Sequence, residues 1–90
     1  EEAAKQWTKV IELDPKFIDA YYNLGSYYFN AKKYDEALSM WKKIQELTPE
    51  DPWLYLRLTA TYNKLGMTKE AEEAGTKFEE LRKQAGIEWE

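Results

Sequence analysis

The sequence of 90 residues contains no cysteine and no histidine. Without cysteine there is no disulfide framework and no thiol nucleophile, and without histidine the commonest general base is missing. Zinc sites built from these two residues are excluded with them. Glycine and proline are scarce, at 4 and 3 residues, and no glycine-rich phosphate loop occurs. No run of about 18 apolar residues is present, which excludes a helix of membrane-spanning length. The formal net charge of −4 argues against nucleic acid or an anionic membrane as the main partner. Carboxylates do cluster, as Glu72, Glu73, Glu79 and Glu80. Acid–base chemistry needs a cleft that separates the pKa values of such a pair. Interleaved with Lys69 and Lys77 on one helix, they read instead as a solvated charged face. No catalytic residue, metal or cofactor is expected.

Against these absences stands a periodicity. Ala3, Ala37 and Ala71 recur 34 residues apart, each preceded by a glutamate at Glu2, Glu36 and Glu70. Lys9, Lys43 and Lys77 keep the same interval, as do Val10, Ile44 and Phe78, and Leu13, Leu47 and Leu81. Trp7 pairs with Trp41, Pro15 with Pro49, Tyr21 with Tyr55, Leu24 with Leu58, and Tyr28 with Tyr62. A repeat of this length implies a two-helix unit stacked on copies of itself.

Local pattern places the helices. Ala20, Leu24, Tyr27, Tyr28 and Ala31 fall at three- and four-residue steps, as do Ala37, Met40, Trp41, Ile44 and Leu47, and Leu54, Leu58, Thr61, Tyr62 and Leu65. Asp14-Pro15 ends the first helix, because proline disfavours helical geometry in the residue before it. The run from Thr48 to Pro52 ends the third, with Asp51 as cap and Pro52 in the first turn of the next. Leu65-Gly66 ends the fourth, and Thr68 is expected to cap the fifth. The spacing predicts helices over 2–13, 17–31, 34–47, 52–65 and 68–85. Lys32 falls where the second unit has Gly66, so a left-handed residue there costs about 1 kcal/mol.

The run Tyr21-x-x-Leu24-Gly25-x-x-Tyr28, then Ala37-x-x-x-Trp41, then Pro49, resembles one complete tetratricopeptide repeat. Tyr55-x-x-Leu58-Thr59-x-x-Tyr62 with Ala71 is a weaker copy, and Ala3, Trp7 and Pro15 resemble the second half of another. The resemblance implies an all-α, right-handed superhelical stack of antiparallel helix pairs, with five helices. It divides a single domain, 1–90, into a half repeat at 1–15, a full repeat at 18–51 and a second repeat with the C-terminal end at 52–85. It also implies a protein-interaction module rather than an enzyme. The first helices of each pair line the concave side of such stacks. Residues outside the core are then expected to face a peptide groove. They are Asp19, Tyr22, Asn23, Ser26, Phe29 and Asn30 on one helix, and Trp53, Leu56, Arg57, Ala60, Asn63 and Lys64 on the other. Tyr22, Phe29 and Trp53 are candidate aromatic hot spots, or else Phe29 and Trp53 merely seal the helix-pair junctions. Some members of the family grip a peptide's C-terminal carboxylate through lysine, asparagine and arginine. Asn23 and Arg57 match two of those positions. Trp53, Tyr22 and Ser26 depart from the others, so the match is partial.

The ends suggest a second class of function. Trp7, Val10 and Ile11 form an apolar stripe on the first helix, which lacks a preceding helix to pair with it. Such a stripe invites a neighbour or a second copy of the chain, making homo-oligomerisation the alternative to peptide binding. At the other end Gly75 replaces the bulky residue, and Gly86 is expected to stop the last helix with Ile87 folding back on it, Trp89 either joining that seal or belonging to a mobile tail. The chain begins at Glu1, inside a predicted helix and without an initiator methionine, as expected of an excised or processed segment. A re-engineered chain is also compatible with such regular repeats.

Overall fold

A computed structural model describes residues 2–86. Among these residues the chain forms five helices and no strand: α1 (Glu2–Leu13), α2 (Ile18–Asn30), α3 (Tyr34–Leu47), α4 (Pro52–Lys64) and α5 (Thr68–Gln84). Each helix packs chiefly on its sequence neighbour, with α2 on α3 and α4 on α5 as the two intimate pairs. The expected bounds hold to within one residue at each end. Ile87 and Trp89 lie outside the described residues.

Turn chemistry repeats with the sequence. After α2, the Lys33 N–H donates to Tyr28 O at 2.8 Å and Lys32 N–H to Phe29 O at 3.0 Å. After α4, Met67 N–H donates to Tyr62 O at 2.9 Å and Gly66 N–H to Asn63 O at 3.1 Å. Both are Schellman endings, which need one left-handed residue. Gly66 supplies it at φ 75°, and Lys32 is forced into it at φ 64°. Gly86, at φ 77°, stops α5 in the expected way. The tyrosines that open each unit tie down the loop before it: Tyr21 Oη donates to Pro15 O and Tyr55 Oη to Pro49 O, each at 2.8 Å. The buried phenols thereby meet their hydrogen-bonding requirement.

Asp51 caps α4, its Oδ1 accepting from Trp53 N–H at 3.1 Å. Thr68 does not cap α5. The helix starts at Thr68 itself, Met67 holds the cap position, and no side chain accepts there. Ala31 is also not core: it caps the end of α2 and is exposed, because the helix has already turned off the buried face.

The core runs continuously from α2 to α5. Trp41, Ile44, Leu54, Leu58 and Thr61 are its most deeply buried large side chains. Burying each apolar one contributes roughly 2–3 kcal/mol. The size pattern explains the close approach of α2 and α3. A Cβ on Gly25 would lie 2.5 Å from the Trp41 ring, so only glycine admits the indole. Trp41 then spans both hairpins, donating from Nε1 to Thr61 Oγ1 at 2.8 Å.

Candidate peptide-binding groove

The 34-residue offset places α2 and α4 as equivalent helices, so their unburied stripes are equivalent too. Ser26, Phe29 and Asn30 of α2 face Arg57 and Ala60 of α4 across a cavity of about 310 Å³. Trp41 from α3 also lines it. The indole is almost fully buried, at 2% exposure, so it offers the cavity a rigid apolar surface rather than a mobile side chain. Thr61 fixes it from below, since the hydroxyl that accepts from the indole also donates to Arg57 O at 2.9 Å.

Arg57 is positioned by rings. Its guanidinium carbon lies 5.2 Å from the Tyr22 ring centroid and 5.7 Å from that of Trp41, within cation–π range. The two rings themselves sit 5.9 Å apart at a 50° tilt. Among the described residues no ion pair engages the guanidinium, so its planar donors stay available to a ligand. Tyr22 is anchored in turn: its hydroxyl donates to Asp51 Oδ2 at 2.6 Å, linking α2 to the cap of α4. Burial, then the hydrogen bond and negative charge of Asp51, push the phenol well above its ordinary value, with Arg57 opposing. A phenol that stays protonated in the fold, while the unfolded chain ionises near pH ~10, binds more protons folded than unfolded. Its contribution to stability is present below that pH and falls as pH rises above it.

The remaining candidates divide. Asp19 and Asn23 share the α2 stripe with Ser26 and Asn30, and both are exposed. Asn23 Nδ2 donates to Asp19 O at 2.8 Å, which leaves its carbonyl oxygen outward. Lys64, also exposed, lies in the last turn of α4, where its charge suits the helix dipole. Trp53 is 39% exposed and leans on Phe78 of α5, with ring centroids 5.8 Å apart. Leu56 is 43% exposed. Asn63 lies with Thr59, Thr68 and Glu72 in a shallow depression between α4 and α5, apart from the cavity. Phe29 has both expected roles: it lines the cavity and seals the α2–α3 junction edge-on against Tyr34, centroids 5.2 Å apart. Tyr22 and Phe29 are half-buried rather than exposed.

Three partners were hidden at the level of the sequence. Trp41 reads as core by its spacing, yet it also lines the cavity. Asp51 reads as a cap, and its second oxygen holds Tyr22. Thr61 reads as a core position, and its hydroxyl locks the indole. Gly25 is the one sequence signal that pointed at Trp41, because the full repeat pairs its smallest residue with its largest.

On α1 the picture is one-sided. None of its residues is buried; Trp7, Val10 and Ile11 are half-buried, and Ile11 packs against the core. Leu13 is 81% exposed.

A family model for the tetratricopeptide repeat matches residues 7–39. Among solved structures, MamA MSR-1 C2 superposes with a TM-score of 0.83 at 25% identity, over 88% of this chain and 45% of that one. A second structure, of MamA protein, gives a TM-score of 0.84 at 26% identity, over 97% of this chain and 48% of that one. The chain thus spans about half the length of the solved chains it matches. No curated protein matches the sequence. The 34-residue periodicity, the stacked helix pairs and these likenesses agree: the chain is similar to the tetratricopeptide repeat family over residues 7–39 and to the MamA structures over most of its length, which supports a protein-interaction module in general.

Proposed function

We propose that the groove between α2 and α4 binds a peptide segment of a partner protein without turnover. The ligand presents an apolar side chain next to a carboxylate. The observation that carries this reading is Arg57, stacked on Tyr22 and Trp41 in a cavity of mixed polar and apolar lining, with no ion pair to it among the described residues. The apolar side chain enters against Trp41, Phe29 and Ala60, and the carboxylate meets the guanidinium. Asn30 and Ser26 supply hydrogen bonds along the backbone of the ligand, and Asp19, Asn23, Trp53, Leu56, Asn63 and Lys64 extend the contact surface on either side. Calorimetry with capped peptides of mixed acidic and apolar sequence tests this. Arg57→Ala is expected to weaken an acidic peptide about tenfold or more and its amide counterpart little. Equal losses for both peptides would remove the carboxylate from the account.

One observation favours a second reading, self-assembly through α1. Trp7, Val10 and Ile11 lie on a helix that buries no residue, and Leu13 stands out from its end. Light scattering at two well-separated concentrations distinguishes the two. A dimer lost in Trp7→Ala supports assembly, and a monomer at both concentrations rejects it.

A further inference from the structure

A second cavity lies on the side of α4 turned away from the groove. Tyr55, Leu58 and Tyr62 of α4, Ala74 of α5 and Gln45 of α3 line an open pocket of about 260 Å³, with the exposed Glu73 and Lys77 and the partly exposed Glu70 at its edge. The internal repeat explains why it is there. Ala74 stands 34 residues after Met40, and Met40 packs against the core. Where the first unit carries a flexible four-atom side chain, the second carries a methyl, and the space over Leu58 and Tyr62 is left open. The polar groups at its inner end are already engaged: Tyr55 Oη donates to Pro49 O at 2.8 Å and accepts from Gln45 Nε2 at 3.4 Å. Leu58, Ala74 and the rings of Tyr55 and Tyr62 supply its apolar wall, beside the Gln45 amide. At the edge two carboxylates face one ammonium, and no ion pair joins Glu73 to Lys77 among the described residues.

We propose that this cavity is a binding site for an unbranched apolar side chain flanked by basic residues, carried by a segment of a partner protein. The equivalent position in the first unit suggests the shape that fits, since the sequence carries methionine there, packed against the core, and its unbranched chain adapts to irregular gaps. The carboxylates select the charge beside it. This site is separate from the groove, so each stands or falls alone.

The test is an amide NMR titration with acetyl-Gly-Lys-norleucine-Lys-Gly-amide, together with its serine-for-norleucine counterpart. Saturable shifts centred on Gln45, Tyr62, Ala74 and Lys77, absent with the serine peptide, are the expected result. Ala74→Met supplies the missing side chain from within and should weaken binding about tenfold or more. Glu73→Lys, on an exposed position that leaves the fold intact, should weaken it about fivefold. No shifts, equal binding of both peptides, unchanged affinity in both variants, or shifts confined to Ser26 and Arg57 would each overturn the proposal.

Discussion

The two helix pairs, α2–α3 and α4–α5, share one backbone plan and solve its packing with opposite residue sizes. Where the first pair places Gly25 against Trp41, the second places Thr59 against Gly75. In the first, a Cβ on the glycine would strike the indole at 2.5 Å; in the second, a Cβ on Gly75 meets only Thr59 Oγ1 at 3.9 Å. The first pair seals its open side with Phe29 on Tyr34, and the second puts Asn63 and Thr68 at the matching places. Met40 becomes Ala74. The difference teaches that the periodic positions set the fold, while the departures from periodicity make the surfaces. The first pair spends its bulk on Trp41, which joins both hairpins and lines the groove. The second pair gives up bulk and gains a cavity on the other side.

Substitutions at equivalent positions break or sharpen that contrast. Gly25→Ala forces a methyl into the indole of Trp41, a ring whose own bond to Thr61 prevents retreat. A loss of about 3 kcal/mol is expected in urea unfolding. Thr61→Val keeps the shape but leaves the buried indole N–H without its acceptor, which should cost about 2 kcal/mol by the same measurement. Lys32→Gly relieves a left-handed residue and copies Gly66, so a gain of about 1 kcal/mol is expected. Gly75→Ala, where the new methyl makes only an ordinary contact with Thr59 on a helix, should gain about 0.5 kcal/mol. Opposite signs for the two glycine-to-alanine changes are the sharpest form of the comparison. The same sign for both would show that the size exchange is incidental.

Most of the fold was legible because the repeat states it twice. Helix ends follow from Pro15, Pro52 and Gly66, whose backbone preferences are local. The Schellman turn at Lys32 was legible only through its partner Gly66. Thr68 misled because a threonine before a helical run fits a cap by composition, whereas the turn geometry had already made Met67 the boundary. The groove was legible as two stripes but not as a site. Which of the stripe residues meet depends on side chains reaching between helices far apart in sequence, such as Tyr22 to Asp51 and Trp41 to Thr61, and no local pattern encodes them. Asn63 parted from the groove for the same reason: it lies on the flank of α4 that turns toward α5.

The central claim is that Trp41, Phe29 and Arg57 form a peptide site between α2 and α4. Amide NMR mapping of a capped peptide of mixed acidic and apolar sequence tests it most directly. The account predicts saturable shifts at Ser26, Phe29, Asn30 and Ala60, together with the Trp41 indole N–H. Shifts confined to α1 around Trp7 and Val10, or no shifts at all, would contradict it.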